Sequence, residues 1–173
     1  LGCTLRQLPE EPELADSVFV EDTTLILDEV AVIGNMATPE RGPEAQAVRG
    51  LVSELRPVVE IKSPGTLEGG DIFRIDKTIF VGLGTRTNPD GAGQLQDAVQ
   101  PFGYEVITVP VPGCLHLSTG ASHIGDGEIL ANTNWVESAA FGARTVIAVP
   151  EDEPWGANAL LAHDQLLVAA GNP

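Results

Sequence analysis

The chain has 173 residues, 43% of them hydrophobic, and a formal net charge of −16, which suits one domain or a large part of one with a real core. No basic stripe exists to release counterions, so the charge argues against nucleic acid and anionic membranes as partners. Two cysteines, Cys3 and Cys114, make neither a disulfide framework nor a zinc spacing and fit a reducing compartment. No apolar run has the length of a membrane span and the N-terminus has no signal-peptide shape, so the cytoplasm is the default expectation.

One pattern recurs along the chain. SVFVEDTTLILDEVAVIGN predicts strands either side of Asp28-Glu29, and Pro43 to Leu55 then places Ala47, Val48, Leu51, Val52 and Leu55 on one helical face before the strand VVEI. GGDIFRIDKTIFVGLG turns at Asp76-Lys77. Asn88 caps a helix that Pro89 opens, with Leu95, Ala98 and Val99 on one face, and YEVITVPV follows as a strand. LHLSTGASHIGDGEILANT turns at Gly125-Asp126-Gly127, WVESAAFGA predicts a short helix, and TVIAVPE a strand. ANALLAHDQLLVAAG turns at His163-Asp164. The turns recur roughly every 50 residues and then after about 40, which signals a repeat architecture whose units stack or close into a ring. The unit reads strand–strand–helix–strand.

Polar residues fall at equivalent places in successive units. The first strand of the first unit carries Asp16, Phe19, Glu21 and Asp22, that of the second Glu68, Gly69, Gly70 and Asp71, and that of the third His116, Ser118 and Thr119. In a closed ring these would converge on the axis. Carboxylates gathered around one point favour a cation, and guanidinium is the best shape match because its planar fork donates paired hydrogen bonds. A histidine beside them would gain basicity, protonate a leaving amine and then act as base toward water. Taken singly, each of these residues also fits a plain structural role: a turn, a cap or a solvated surface. GLGTRTNPDGAG carries glycines but no phosphate-loop or dinucleotide fingerprint.

DSVFVED (Asp16 to Asp22), EGGD (Glu68 to Asp71), GLGTRTN (Gly82 to Asn88) and LHLST (Leu115 to Thr119) resemble the dimethylarginine dimethylaminohydrolases of the guanidine-modifying superfamily, and the resemblance runs essentially from Leu1 to Pro173. It implies an α/β fold, a five-fold pseudosymmetric α/β propeller (pentein) of ββαβ-type repeats, here incomplete, with about three to three and a half units in one domain cut at both ends. It implies His116 as general acid and base and Glu68 as the carboxylate that steers the histidine and the guanidinium. Glu21 and Asp22 are expected around the guanidinium, Asp16 at another substrate contact, and Arg41 and Arg86 on the substrate's α-carboxylate. Asp71 is expected to orient its turn.

The expected reaction is hydrolysis of an Nω-methylated arginine to citrulline and a methylamine through a covalent cysteine intermediate, with no metal and no cofactor. The alternatives are an arginine deiminase-like hydrolase and a non-catalytic propeller that binds guanidino compounds. Two positions depart from the pattern: Ser118 stands where lysine is common and Ala15 where proline is. The family's nucleophilic cysteine lies in the last unit, beyond Pro173, and Cys114 and Cys3 are expected to be structural. The chain as given is therefore expected to be inactive. An incomplete propeller leaves open strand edges, so it is also expected to be poorly stable alone, and a homodimer is compatible with that.

Overall fold

The computed structural model describes residues 4–168; Cys3 lies outside them. Residue contacts gather into two compact units, one holding residues up to Gly69 with Arg86–Tyr104, the other Gly70–Thr85 with residues from Glu105 onward.

In the first unit β1 (Thr24–Ile26) and β2 (Ala31–Ile33) form an antiparallel hairpin, with Leu25 opposite Val32, and β3 (Val58–Glu60) joins β2 in parallel. The helix α1 (Gly42–Ser53) links β2 to β3. Its Ala45, Val48 and Val52 pack with Ala31, Ile33 and Met36 into one core. The buried face is rotated from the expected one: Ala47 is exposed and Leu55 largely so. The cause is polar, because the inward face begins with Arg41 and Glu44, which a hydrophobic pattern assigns to solvent. The second helix, α2 (Pro89–Val99), buries Ala92, Leu95 and Val99. Asn88 caps it as expected, accepting from the Gly91 N–H at 2.8 Å and also from the Thr66 N–H at 3.0 Å.

The second unit repeats the strand order twice. β4 (Ile72–Ile75), β5 (Thr78–Leu83) and β6 (Glu105–Pro110) form one sheet, and β7 (Ala121–Gly125), β8 (Glu128–Ala131) and β9 (Val146–Ala148) another. Each is an antiparallel hairpin whose second strand takes a parallel third. A further hairpin, β10 (Ala159–Ala162) with β11 (Gln165–Val168), repeats the first half of the pattern. Phe80, Phe141, Leu117 and Ile129 are the bulk of a shared core. The turns fall where the sequence puts them, with Asp76, Asp126 and His163 at φ of 53°, 51° and 57°. Positive φ matches a two-residue loop to the twist of the flanking strands, and Asp and His tolerate it better than most residues.

One placement differs from the sequence reading. The polar motifs do not lie on the first strands but on a short helical turn before each: Val20–Thr23, Gly69–Asp71 and α3 (Leu117–Gly120). VFVED alternates like a strand, but the ladder starts only at Thr24 opposite Ile33. The residues ahead of it have no strand to pair with. They close tight local bonds instead, Phe19 N–H to Asp16 C=O at 2.9 Å and Asp22 N–H to Phe19 C=O at 3.1 Å. Among the described residues no helix is long and apolar enough to cross a membrane.

Candidate active site

In the first unit, hydrogen bonds to the backbone fix the Glu68 segment. Leu67 N–H donates to the Asn35 carbonyl at 3.0 Å, and the Asn35 amide donates to the Gly65 carbonyl at 2.6 Å. Glu68 N–H donates to Thr87 Oγ1 at 3.1 Å. The next residue must be glycine, because a Cβ at Gly69 would collide with the Glu21 carbonyl oxygen. That close approach brings the Val20–Thr23 turn against the Glu68 segment. Asp22 and Glu68, both buried, then meet one guanidinium.

That guanidinium is Arg41, only 6% exposed, at the end of the short turn Pro39–Arg41 that leads into α1. Its Nη1 donates to Asp22 Oδ2 at 3.0 Å and to Glu68 Oε2 at 3.3 Å. Its Nε donates to Glu44 Oε2 at 3.0 Å, and Nη2 lies 2.9 Å from the same oxygen without the angle of a hydrogen bond. Asp16 stands 3.8 Å away, half-exposed. Burial works against a charged guanidinium, but the hydrogen bonds that Arg41 donates to Glu44 and Asp22, and their negative charge, outweigh it, so the pKa of Arg41 is raised and it stays protonated. Arg86 is 21% exposed, and its Nη1 reaches Thr38 Oγ1 at 3.3 Å and Glu68 Oε1 at 3.5 Å. The same Oε1 accepts the Ala37 N–H at 3.0 Å.

In the second unit His116 is the residue before α3, mostly buried. Asp71, 1% exposed, accepts the Leu117 N–H at 3.0 Å and lies 3.5 Å from His116 Nδ1 with the same oxygen. Asp71 thus ties the turn that carries His116 to the start of β4. Cβ atoms have no room at Gly82 either, where Leu117, Asp71 and Val111 crowd in. Cys114 donates its thiol to the His116 carbonyl at 3.1 Å. Burial, with the Asp71 carboxylate adding to it, pushes that thiol up to about 11.

The first unit therefore gathers Asp22, Arg41, Glu68 and Arg86, with Asp16 at the margin. Glu21 is exposed and offers the cluster only its backbone. His116 pairs with Asp71 in the second unit. Sequence reasoning missed Glu44, because a glutamate on an amphipathic helix reads as solvent-facing; its i,i+3 spacing from Arg41 was the available signal. It also missed Thr38 and Thr87, whose hydroxyls show no pattern in sequence.

The arginine deiminase family model matches residues 11–151. The chain is 31% identical over 168 residues to N(G),N(G)-dimethylarginine dimethylaminohydrolase of Pseudomonas aeruginosa, covering 96% of this chain and 66% of that protein. It is 38% identical over 160 residues to the protein of the same name from Streptomyces coelicolor, covering 91% and 61%. Among solved structures, the Pseudomonas aeruginosa protein, as a cysteine-to-serine mutant complexed with citrulline, matches with a TM-score of 0.87 at 29% identity over 93% of this chain and 64% of that one. The N-terminal domain of a cyanobacterial arginine dihydrolase shares the fold, with a TM-score of 0.80 at 19% identity. The fold is the α/β architecture of the guanidine-modifying proteins. The chain belongs to the family of arginine deiminase and the dimethylarginine dimethylaminohydrolases, and it spans 66% and 61% of the length of these two curated relatives.

Proposed function

We propose that this chain carries the substrate-binding and acid–base residues of a hydrolase that converts Nω-methylated arginine to citrulline and a methylamine. The observation that carries the reading is the buried group of Asp22, Glu44 and Glu68 around Arg41. Asp22, Glu44 and Glu68 outnumber the two guanidiniums that meet them, Arg41 and Arg86, and a substrate guanidinium is a cation that suits them. The contacts of Glu68 with Arg41 and Arg86 are long, 3.3 and 3.5 Å. A substrate guanidinium exchanges for them, and the arginines turn to the substrate's α-carboxylate. Asp22 holds the guanidinium with Glu68, while Asp16 and Glu21 meet the substrate at the margin.

In this reading a cysteine thiolate attacks the guanidinium carbon. The C–N bond to the methylamine breaks as His116 gives that nitrogen its proton. Neutral His116 then takes a proton from the water that attacks the thiouronium carbon. The C–S bond breaks, the thiolate returns and citrulline leaves. The nucleophile is not Cys114: its raised pKa keeps it a thiol, and it is bonded to the His116 carbonyl. In this reading it is neither Cys114 nor Cys3 but a cysteine that the full-length protein supplies from outside this chain. The repeated sheets support a five-bladed α/β propeller of which these residues form part as one domain.

The full-length protein bearing this chain is incubated with asymmetric dimethylarginine and, in parallel, arginine, and citrulline is measured. Citrulline from dimethylarginine at the higher kcat/KM is expected. Preference for arginine would move the protein to the deiminase reading, for which the family model's description speaks. Binding of either compound with no citrulline would make it a non-catalytic binder and sink the proposal.

A further inference from the structure

We propose that Glu44 is a positioning residue for Arg41. Its carboxylate is the pivot that keeps this guanidinium in place when Nη1 releases Glu68 and the guanidinium takes the substrate's α-carboxylate. The inference rests on the functional reading above.

Three observations carry it. Glu44 is 3% exposed in the first turn of α1, three residues from Arg41. A buried carboxylate is costly unless it is paired, and a helix N-terminus favours its charge. Second, a single oxygen, Oε2, holds the Nε–Nη2 edge of Arg41, at 3.0 and 2.9 Å, whereas Glu68 is 3.3 Å from Nη1. Asp22 is as close to Nη1, at 3.0 Å, so the longest of these contacts is the one to Glu68, a residue proposed to bind substrate, while Glu44 holds the opposite edge from the helix. Third, Nη2 has no hydrogen-bond partner of proper angle although it is buried. Nη2 therefore has donor capacity left, and release of Glu68 by Nη1 would complete the Nη1–Nη2 edge that suits a carboxylate in bidentate geometry. Without Glu44 only the half-exposed Asp16, 3.8 Å from Nε, would remain on that side of the guanidinium, and the orientation would loosen.

The test is a cycle of variants in the full-length protein. Glu44→Gln is expected to raise KM for dimethylarginine by about tenfold, with kcat changed less than about threefold. The inhibition constant of the decarboxylated analogue, dimethylagmatine, should stay within about twofold, since it has no α-carboxylate to lose. In an Arg41→Ala background, Glu44→Gln should have no further effect on KM, because the two act through one contact. If Glu44→Gln proves insoluble, Glu44→Asp is read in the same cycle, its carboxylate drawn back by one methylene. Equal losses for dimethylarginine and its decarboxylated analogue, or additive effects with Arg41→Ala, would show a general packing role and overturn the inference. An unmoved KM would overturn it alone. A wild type that neither turns over nor binds dimethylarginine would sink the functional reading, and this inference with it.

Discussion

Cys114 illustrates how far a single residue can be read from its surroundings. It lies two positions before His116, and on an extended chain that spacing brings side chains to one side. Proximity is nonetheless not reactivity. The thiol is half-buried and donates to a carbonyl, and the Asp71 charge disfavours the thiolate further. A folded-state pKa of about 11, above the ordinary value, means the folded protein holds this proton more tightly than the unfolded chain does. The resulting stabilisation is full below about pH 9 and is lost as pH rises through about 11. Alkylation of Cys114 should accordingly be slow at pH 8 and climb about tenfold per pH unit toward 11. Measured by peptide mass spectrometry, a rate already at its plateau at pH 8 would contradict the assignment of Cys114 as structural.

At the scale of the element, the short turns ahead of the strands do the positioning. Gly69 lets its turn press on the Glu21 carbonyl, and Asp71 ties β4 to the start of α3. Gly69→Ala should push the Val20–Thr23 turn away and move Asp22 from Arg41. A loss of at least about tenfold in kcat/KM is expected, with about 1–3 kcal/mol of stability lost to overpacking. Denaturant titration beside citrulline kinetics checks both, and a variant unaffected in both would show that the close approach is dispensable. The hairpins were legible in the sequence because Asp-Lys, Asp-Gly and His-Asp pairs punctuate alternating apolar runs, and the Asn88-Pro89 start of α2 because capping is local chemistry. The turns themselves were not legible, since VFVED has the alternation of a strand and only the absence of a ladder partner makes it coil. Nor was the phase of α1, where two charged residues, Arg41 and Glu44, lead the buried face. The candidate site residues were chosen through the family resemblance and their spacing, and the structure gathers Asp22, Arg41, Glu68 and Arg86 in the first unit and sets His116 beside Asp71 in the second. The compensation of Arg41 by Glu44 was not, because it depends on which side of the helix is covered.

At the scale of the whole molecule, three sheets among the described residues repeat one strand order and a fourth hairpin repeats its first half, so residues far apart in sequence take equivalent stations ahead of each hairpin. A net charge of −16 would also favour the approach of the cationic guanidino substrate proposed above. The central claim is that Glu68 holds the substrate's guanidinium for hydrolysis. The measurement that tests it most directly is citrulline formation from dimethylarginine by the full-length wild type and Glu68→Gln, side by side. The account predicts steady turnover by the wild type and a fall of at least about a hundredfold in kcat/KM for the variant, which keeps the shape and removes the charge. A Glu68→Gln protein that made citrulline at the wild-type rate would contradict it.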